Sequence, residues 1–370
     1  MNIKSLELYY IALDLKEHFT TSFGTLRRRE TIIVKITDEE DNIGWGEIVS
    51  SAGPWYTYET IGTAVHIIRD YIIPMIRGVQ IDHPKTFHEL VSKIRGHNMA
   101  KAGIEMALWD LYAKRLKLPL PSLIGGVRES IECGISIGIK GSINELLKAI
   151  DYYLEQGYKR VKIKIKPNWD VNVVKRVRQE YPDIPLQVDA NAAYTLSDCK
   201  VFKELDEFGL EMIEQPLYYD DLVDHAILQR LIRTPICLDE SIKSLHDARS
   251  AYKLGSCMII NIKPGRVGGI TESLRIHDFC MTVGMPVWIG GMLETGIGRA
   301  FLVSLASLPN VKYPNDISAS NRYYVEDLVE PPWTLSKDGT MRVPREPGIG
   351  VKVLEDRLKK YTIKSLRLLP

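Results

Sequence analysis

Cysteine is scarce and poorly placed for a structural use: five in 370 residues, Cys133, Cys199, Cys237, Cys257 and Cys280, an odd number with no CxxC pair. That excludes a disulfide framework or a zinc ribbon and points to a reducing, cytoplasmic setting. An excess of either charge is missing too. Lys and Arg number 48 against 47 Asp and Glu, and a net charge of +1 offers no basic field for nucleic acid. No run approaches the roughly 20 apolar residues that cross a bilayer, and the opening MNIKSLELYYIALDLKEHF carries charges every few residues, unlike a signal peptide. A glycine-rich phosphate turn after a first strand is also absent, which argues against a doubly wound dinucleotide-binding sheet. What is present is a 45% apolar chain of a length that suits about two domains.

The first 125 residues read as an α+β unit, with strands first and helices after. Ile3 to Leu13 and Glu30 to Thr37 are β-rich, and Asp41-Asn42 turns into IGWGEIV. Two segments between them look irregular: 19–29, with Phe23 and the arginines 27–29, and 49–58, with Trp55 among three aromatics. Both suit loops that cover a pocket. Helices are expected over 59–76, interrupted near Pro74, and over 99–115.

From about residue 126 the pattern changes to short β-rich runs alternating with amphipathic stretches, to about residue 320. Seven clear strand runs and a weak eighth near Val311 favour a closed (β/α) barrel over an open sheet. Strand ends within it repeat a charge. Lys164, Asp189, Glu214, Asp239 and Lys263 follow one another at steps of 25, 25, 25 and 24 residues, the length of one βα unit. In a barrel, equivalent strand ends ring one mouth, so two lysines flank three carboxylates there. Three carboxylates ~4 Å apart repel by about 4 kcal/mol per pair at an effective dielectric of 20, roughly 12 kcal/mol in all, as large as a typical domain's stability. The acids must therefore be protonated, salt-bridged or filled by a cation. Oxygen ligands select a hard ion such as Mg²⁺, and no His or Cys stands at a comparable strand end to favour zinc. In RVKIKIK the period of two sends Lys162, Lys164 and Lys166 inward if Ile163 and Ile165 face the helices. Burial and the neighbouring Lys162 would then lower the proton affinity of Lys164 toward that of a usable base.

These residues resemble a known family. KIK at 162–164, VDAN at 188–191, IEQP at 213–216, LDES at 238–241 and NIKPGRVGG at 261–269 are similar to motifs of the enolase superfamily. More narrowly, they resemble the o-succinylbenzoate synthase / N-acylamino acid racemase family of its muconate-lactonising branch. The likeness runs through MAKAGIEMALWDLYAK and WIGGMLETGIGRA and so covers essentially the whole chain. It implies a (β/α)7β barrel under an N-terminal α+β capping domain, with residues 321–370 returning to the cap. It implies Mg²⁺, with Mn²⁺ a possible substitute, on Asp189, Glu214 and Asp239. It implies a base at Lys164, a partner acid or base at Lys263, and Lys162 holding the substrate carboxylate. Ser136, Gly291 and Leu293 match positions lining the family's pocket, Phe23 and Trp55 fall in the two covering loops, and Asn191, Glu240 and Arg266 match residues behind the reacting groups.

The expected activity is dehydration to o-succinylbenzoate, or racemisation of an N-acylamino acid by the same two lysines, in a homo-oligomer. Other branches fit less well. A His–Asp dyad of the mandelate racemase type is lacking, and Asp316-Ile317-Ser318 lacks the second acid with which dipeptide epimerases hold an ammonium. A Schiff-base aldolase barrel would also need an inward lysine and is the rival of a different class.

Overall fold

The computed structural model describes residues 1–369. The first three strands of the four-stranded cap sheet are β1 (Ile3–Thr21), β2 (Gly24–Asp38) and β3 (Ile43–Ile48), each antiparallel to the next. The segment 19–29 is thus not irregular. Phe19, Thr20 and Thr21 pair with Leu26, Thr25 and Gly24, making a two-stranded arm that projects beyond the sheet. Threonines and a Gly24 at φ +151 let the chain reverse over two residues, so aromatic and glycine content here marks a hairpin tip.

Residues 61–76 form one continuous helical run, and Pro74 does not interrupt it. Residues Ile68–Ile72 widen into a π-helical turn in which the Ile73 N–H reaches Ile68 O. The wider turn makes room for a proline ring that would meet the carbonyl four residues back. The helix Asn98–Arg115 is buried on nearly every side, as expected of a helix sandwiched between two layers. It lies close on β3: a Cβ at Gly46 would stand 2.1 Å from Gly103 O. Its far side joins the cap to the barrel, because the Glu105 carboxylate accepts from the N–H groups of Ile270 (2.7 Å) and Thr271 (2.9 Å).

The barrel strands run parallel in sequence order: β4 (Gly134–Ile137), β5 (Arg160–Lys164), β6 (Leu186–Asp189), β7 (Met212–Glu214), β8 (Ile236–Leu238), β9 (Ile259–Ile262) and β10 (Val287–Ile289). The weak eighth run contributes bridges only. Val311 pairs with Val287 and Asn315 with Cys133, which links β10 back to β4. Inside, Met212, Cys237, Ile259 and Trp288 fill the barrel, while Val161, Ile163, Val188, Ile213 and Leu238 face the helix layer. After the barrel, Thr340–Arg342 pairs with Ser130–Glu132, and β11 (Thr362–Leu369) lies antiparallel to β1 in the cap sheet.

Candidate active site at the barrel mouth

Strand register brings the ladder together. Lys164 is the Cα partner of Asp189, and Asp189 of Glu214. Asp239 and Lys263 stand one residue beyond β8 and β9. All five side chains are buried, the three acids at 1% exposure or less. Of the three ways to tolerate such a cluster, the structure shows salt bridging. Lys164 Nζ donates to Asp189 Oδ2 at 2.5 Å and to Asn191 Oδ1 at 2.8 Å. Lys162 Nζ donates to Glu214 Oε2 at 2.7 Å and contacts Asp189 Oδ2 at 3.3 Å. Lys263 Nζ donates to Asp239 Oδ2 at 2.8 Å, and Arg266 Nη1 binds the other oxygen of the same acid.

Lys166 departs from the expected pattern. The strand ends at Lys164, residues 166–169 make a local turn, and the Lys166 side chain is exposed. Burial depresses the proton affinity of Lys162 and Lys263, but the acids overcome it. Asp316, Glu214 and Asp189 push Lys162 above the usual lysine range, and Tyr56, Glu214 and Glu240 do the same for Lys263. Asp189 moves the other way, held below the usual carboxylate range because Lys164 and Lys162 outweigh its burial.

A cavity of about 280 Å³ opens over this cluster, between the cap and the barrel mouth. Lys162, Lys164 and Lys263 line it, with Ser136, Gly291 and Leu293 from the barrel and Phe23 and Trp55 from the cap. Phe23 and Trp55 are 44% and 72% exposed, so they form its outer rim. Asn191 also lines it, whereas Glu240 and Arg266 lie behind the wall. Asn191 Nδ2 donates to Glu240 Oε1 at 3.1 Å, and burial together with the Asp189 charge pushes the Glu240 carboxyl up to about 7.

Whether the acids suit a metal turns on their chemistry and their arrangement. The donor set is all oxygen, and Glu240 Oε2, Gln187 Oε1 and Asn261 Oδ1 are further buried acceptor oxygens with no hydrogen-bond partner. Such a set fits a hard divalent cation. Among the described residues, however, no three acids converge on one point, since each is turned toward an amine or guanidinium. The residue types fit such an ion; the side-chain orientations are those of ion pairs.

Several groups at this site escaped the sequence reading. Gln187 Nε2 and Asn261 Nδ2 each donate to Glu214 at 2.7 Å. Asp316, read from the sequence only as a lone acid, contacts Lys162 at 2.5 Å and Arg160 at 2.8 Å. Tyr56 reaches from the cap, its hydroxyl 3.1 Å from Asp239 Oδ1 and 3.3 Å from Lys263 Nζ. A signal existed for the first pair: Gln187 and Asn261 stand two residues before Asp189 and Lys263, as Lys162 does before Lys164, and so share the inward face.

Comparison with known proteins places this architecture. Residues 8–125 match the mandelate racemase / muconate lactonizing enzyme N-terminal domain, and residues 145–357 the enolase C-terminal domain-like family. The chain is similar to a Geobacillus stearothermophilus protein named o-succinylbenzoate synthase, 51% identical with 98% of this chain and 96% of that one covered. It is 44% identical to a Thermus thermophilus protein named N-succinylamino acid racemase, with 98% of each covered. A crystal structure of an enolase-superfamily member from Listeria innocua superposes with a TM-score of 0.96 at 42% identity, covering 100% of this chain and 99% of that one. With both domains matched and the barrel-mouth cluster between them, the chain belongs to the enolase superfamily, within its mandelate racemase / muconate lactonizing enzyme group.

Proposed function

We propose that this protein is an o-succinylbenzoate synthase, a Mg²⁺-dependent lyase that dehydrates 2-succinyl-6-hydroxy-2,4-cyclohexadiene-1-carboxylate on the route to menaquinone. The observation that carries the reading is that two buried amines, Lys164 and Lys263, both line the cavity and stand at the two ends of a row of acids. Relatives of that name at 51% and 47% identity over nearly the full chain support it. Asp189, Glu214 and Asp239 would hold Mg²⁺ (or Mn²⁺), which supplies Lewis-acid stabilisation of the charge developing on the substrate carboxylate.

The remaining work falls to the side chains. Lys162 fixes the substrate carboxylate at the cavity floor. Lys164, as free amine, takes the proton from the carbon next to that carboxylate. Asn191, whose Oδ1 accepts from Lys164 Nζ at 2.8 Å, aims it. Lys164 then returns the proton to the departing hydroxyl on the same face, a syn elimination. Lys263 is held in its charged form by the surrounding acids and opposes the negative charge from the other side. Ser136, Gly291 and Leu293 shape the cavity, and Phe23 and Trp55 shield it from water. The enzyme would work in the cytoplasm as a homo-oligomer on a small carboxylate.

A second reading, N-succinylamino acid racemase, is favoured by the pair of cavity-lining amines and by the Thermus thermophilus relative. There Lys164 removes the α-proton and Lys263 delivers one to the opposite face. The test is to supply purified protein and Mg²⁺ with each substrate. Formation of o-succinylbenzoate, lost in Lys164→Ala, supports the proposal. Racemisation without dehydration would leave only the second reading, and neither reaction would overturn both.

A further inference from the structure

Four cations line the cavity, and three of them, Lys162, Lys164 and Lys263, touch carboxylates. The fourth is Arg29, from β2 of the cap, and among the described residues it makes no ion pair. Its Nη2 donates to Val49 O at 2.7 Å and its Nη1 to Ser51 Oγ at 3.2 Å, both neutral, and its Nε has no partner. Arg29 is only 2% exposed, while Arg27 and Arg28 beside it are exposed.

Leaving a buried guanidinium without a counter-charge is costly, and proteins normally pair it. Glu47 and Glu294 lie near enough to feel Arg29 through space without touching it. Burial and Glu294 push the Glu47 carboxyl up to about 7, burial pushes Glu294 up as well, and neither carboxylate touches the guanidinium. A planar guanidinium that lines the cavity and has only neutral partners matches a carboxylate better than any neutral group does.

We infer that Arg29 binds a second carboxylate of the substrate, the one at the end of a succinyl arm, while the reacting carboxylate lies at the lysines. This rests on the function proposed above, and it gives the dehydration and racemisation substrates a shared anchor, since both carry that arm. Arg29 then acts as a specificity residue on the cap, and a substrate with a neutral acyl group loses the contact.

The experiment compares α-proton exchange in D₂O, followed by NMR with Mg²⁺ present, for an N-succinylamino acid and its N-acetyl counterpart. Wild-type protein is expected to favour the succinyl compound, and Arg29→Met to reduce that preference by about 30-fold or more, as loss of a charge-assisted hydrogen bond would. Arg29→Lys, which keeps the charge, should recover part of it. Binding of o-succinylbenzoate against its succinyl-end amide, by calorimetry, gives the same comparison without turnover. If Arg29→Met weakens both members of each pair equally, or wild type shows no preference, Arg29 is structural and the inference falls while the proposed function stands. If wild type exchanges neither compound and binds no o-succinylbenzoate, the proposed function itself falls, and this inference with it.

Discussion

Asp316 tests how the charges of this site are balanced. Burial raises its carboxyl, but Lys162 and Arg160 outweigh that and hold it at about 2, below the ordinary 3.8. The folded value being the lower one, Asp316 contributes stability that is fully present above pH ~3.8 and is lost as pH falls through ~2. The gap corresponds to about 2 kcal/mol at neutral pH. In Asp316→Asn that contribution disappears, and an amide N–H can meet the Lys162 ammonium. Lys162 keeps Glu214 and Asp189, but Arg160 keeps only Pro314 O, its Nε and Nη1 being already unpartnered. The expected cost is therefore about 2–3 kcal/mol, at the lower edge of what breaking a buried ion pair costs. Urea unfolding at pH 7 with EDTA present, followed by tryptophan fluorescence, measures it. Trp288 is a built-in reporter, since Lys162 Nζ and the Arg160 guanidinium lie 4.9 and 5.2 Å from its ring centre. At pH 3 the difference from wild type should shrink to about half. Equal stability at pH 7 would refute the charge balance drawn here, and an undiminished gap at pH 3 would show that packing rather than charge was lost.

Lys164→Ala should lower both dehydration and α-proton exchange by at least about 10³-fold with unchanged far-UV circular dichroism, consistent with loss of a general base; retained exchange would remove Lys164 from the mechanism. Lys263→Ala should abolish racemisation, measured by polarimetry, and full-rate racemisation would rule out the two-amine scheme. Asp239→Asn should weaken Mg²⁺ binding in a calorimetric titration, and an unchanged isotherm would contradict its assignment as a ligand. Activity should be lost in EDTA and survive borohydride, the reverse of what a Schiff-base aldolase would show. Gly46→Ala should lower the melting temperature, because its Cβ would stand 2.1 Å from Gly103 O and 2.9 Å from Ala107 N, an overpacking worth about 1–3 kcal/mol.

The barrel was readable from the sequence because its period is covalent. One strand, one helix and two turns use about 25 residues each time, so Lys164 through Lys263 could be aligned without knowing any contact. Reading failed where tertiary packing chose among local options. The 19–29 segment has the composition of a loop yet pairs as strands, since β1 and β2 are long enough to continue past the sheet into a hairpin. Pro74 looked like a helix break, and the π-helical turn ahead of it removed the clash. Lys166 kept the alternation of its neighbours in sequence, but the strand had already ended.

The same contrast separates the two halves of the site. Groups supplied by the barrel obey its spacing, including an inner layer at Lys162, Gln187, Met212, Cys237 and Asn261 that repeats the ladder two residues earlier. That layer explains why Glu214 is held by three neutral or cationic donors: Lys162, Gln187 and Asn261 occupy inward positions on strands on both sides of it. Groups supplied by the cap obey no such rule. Tyr56 meets Asp239, Lys263 and Arg266 across about 200 residues of chain, and Arg29 reaches the cavity through the docking of the cap on the barrel, to which Glu105 and Glu47 both contribute. In this architecture the repeat sets the positions of the ladder and its inner layer, while the docking of the cap brings Tyr56 and Arg29 to the same cavity.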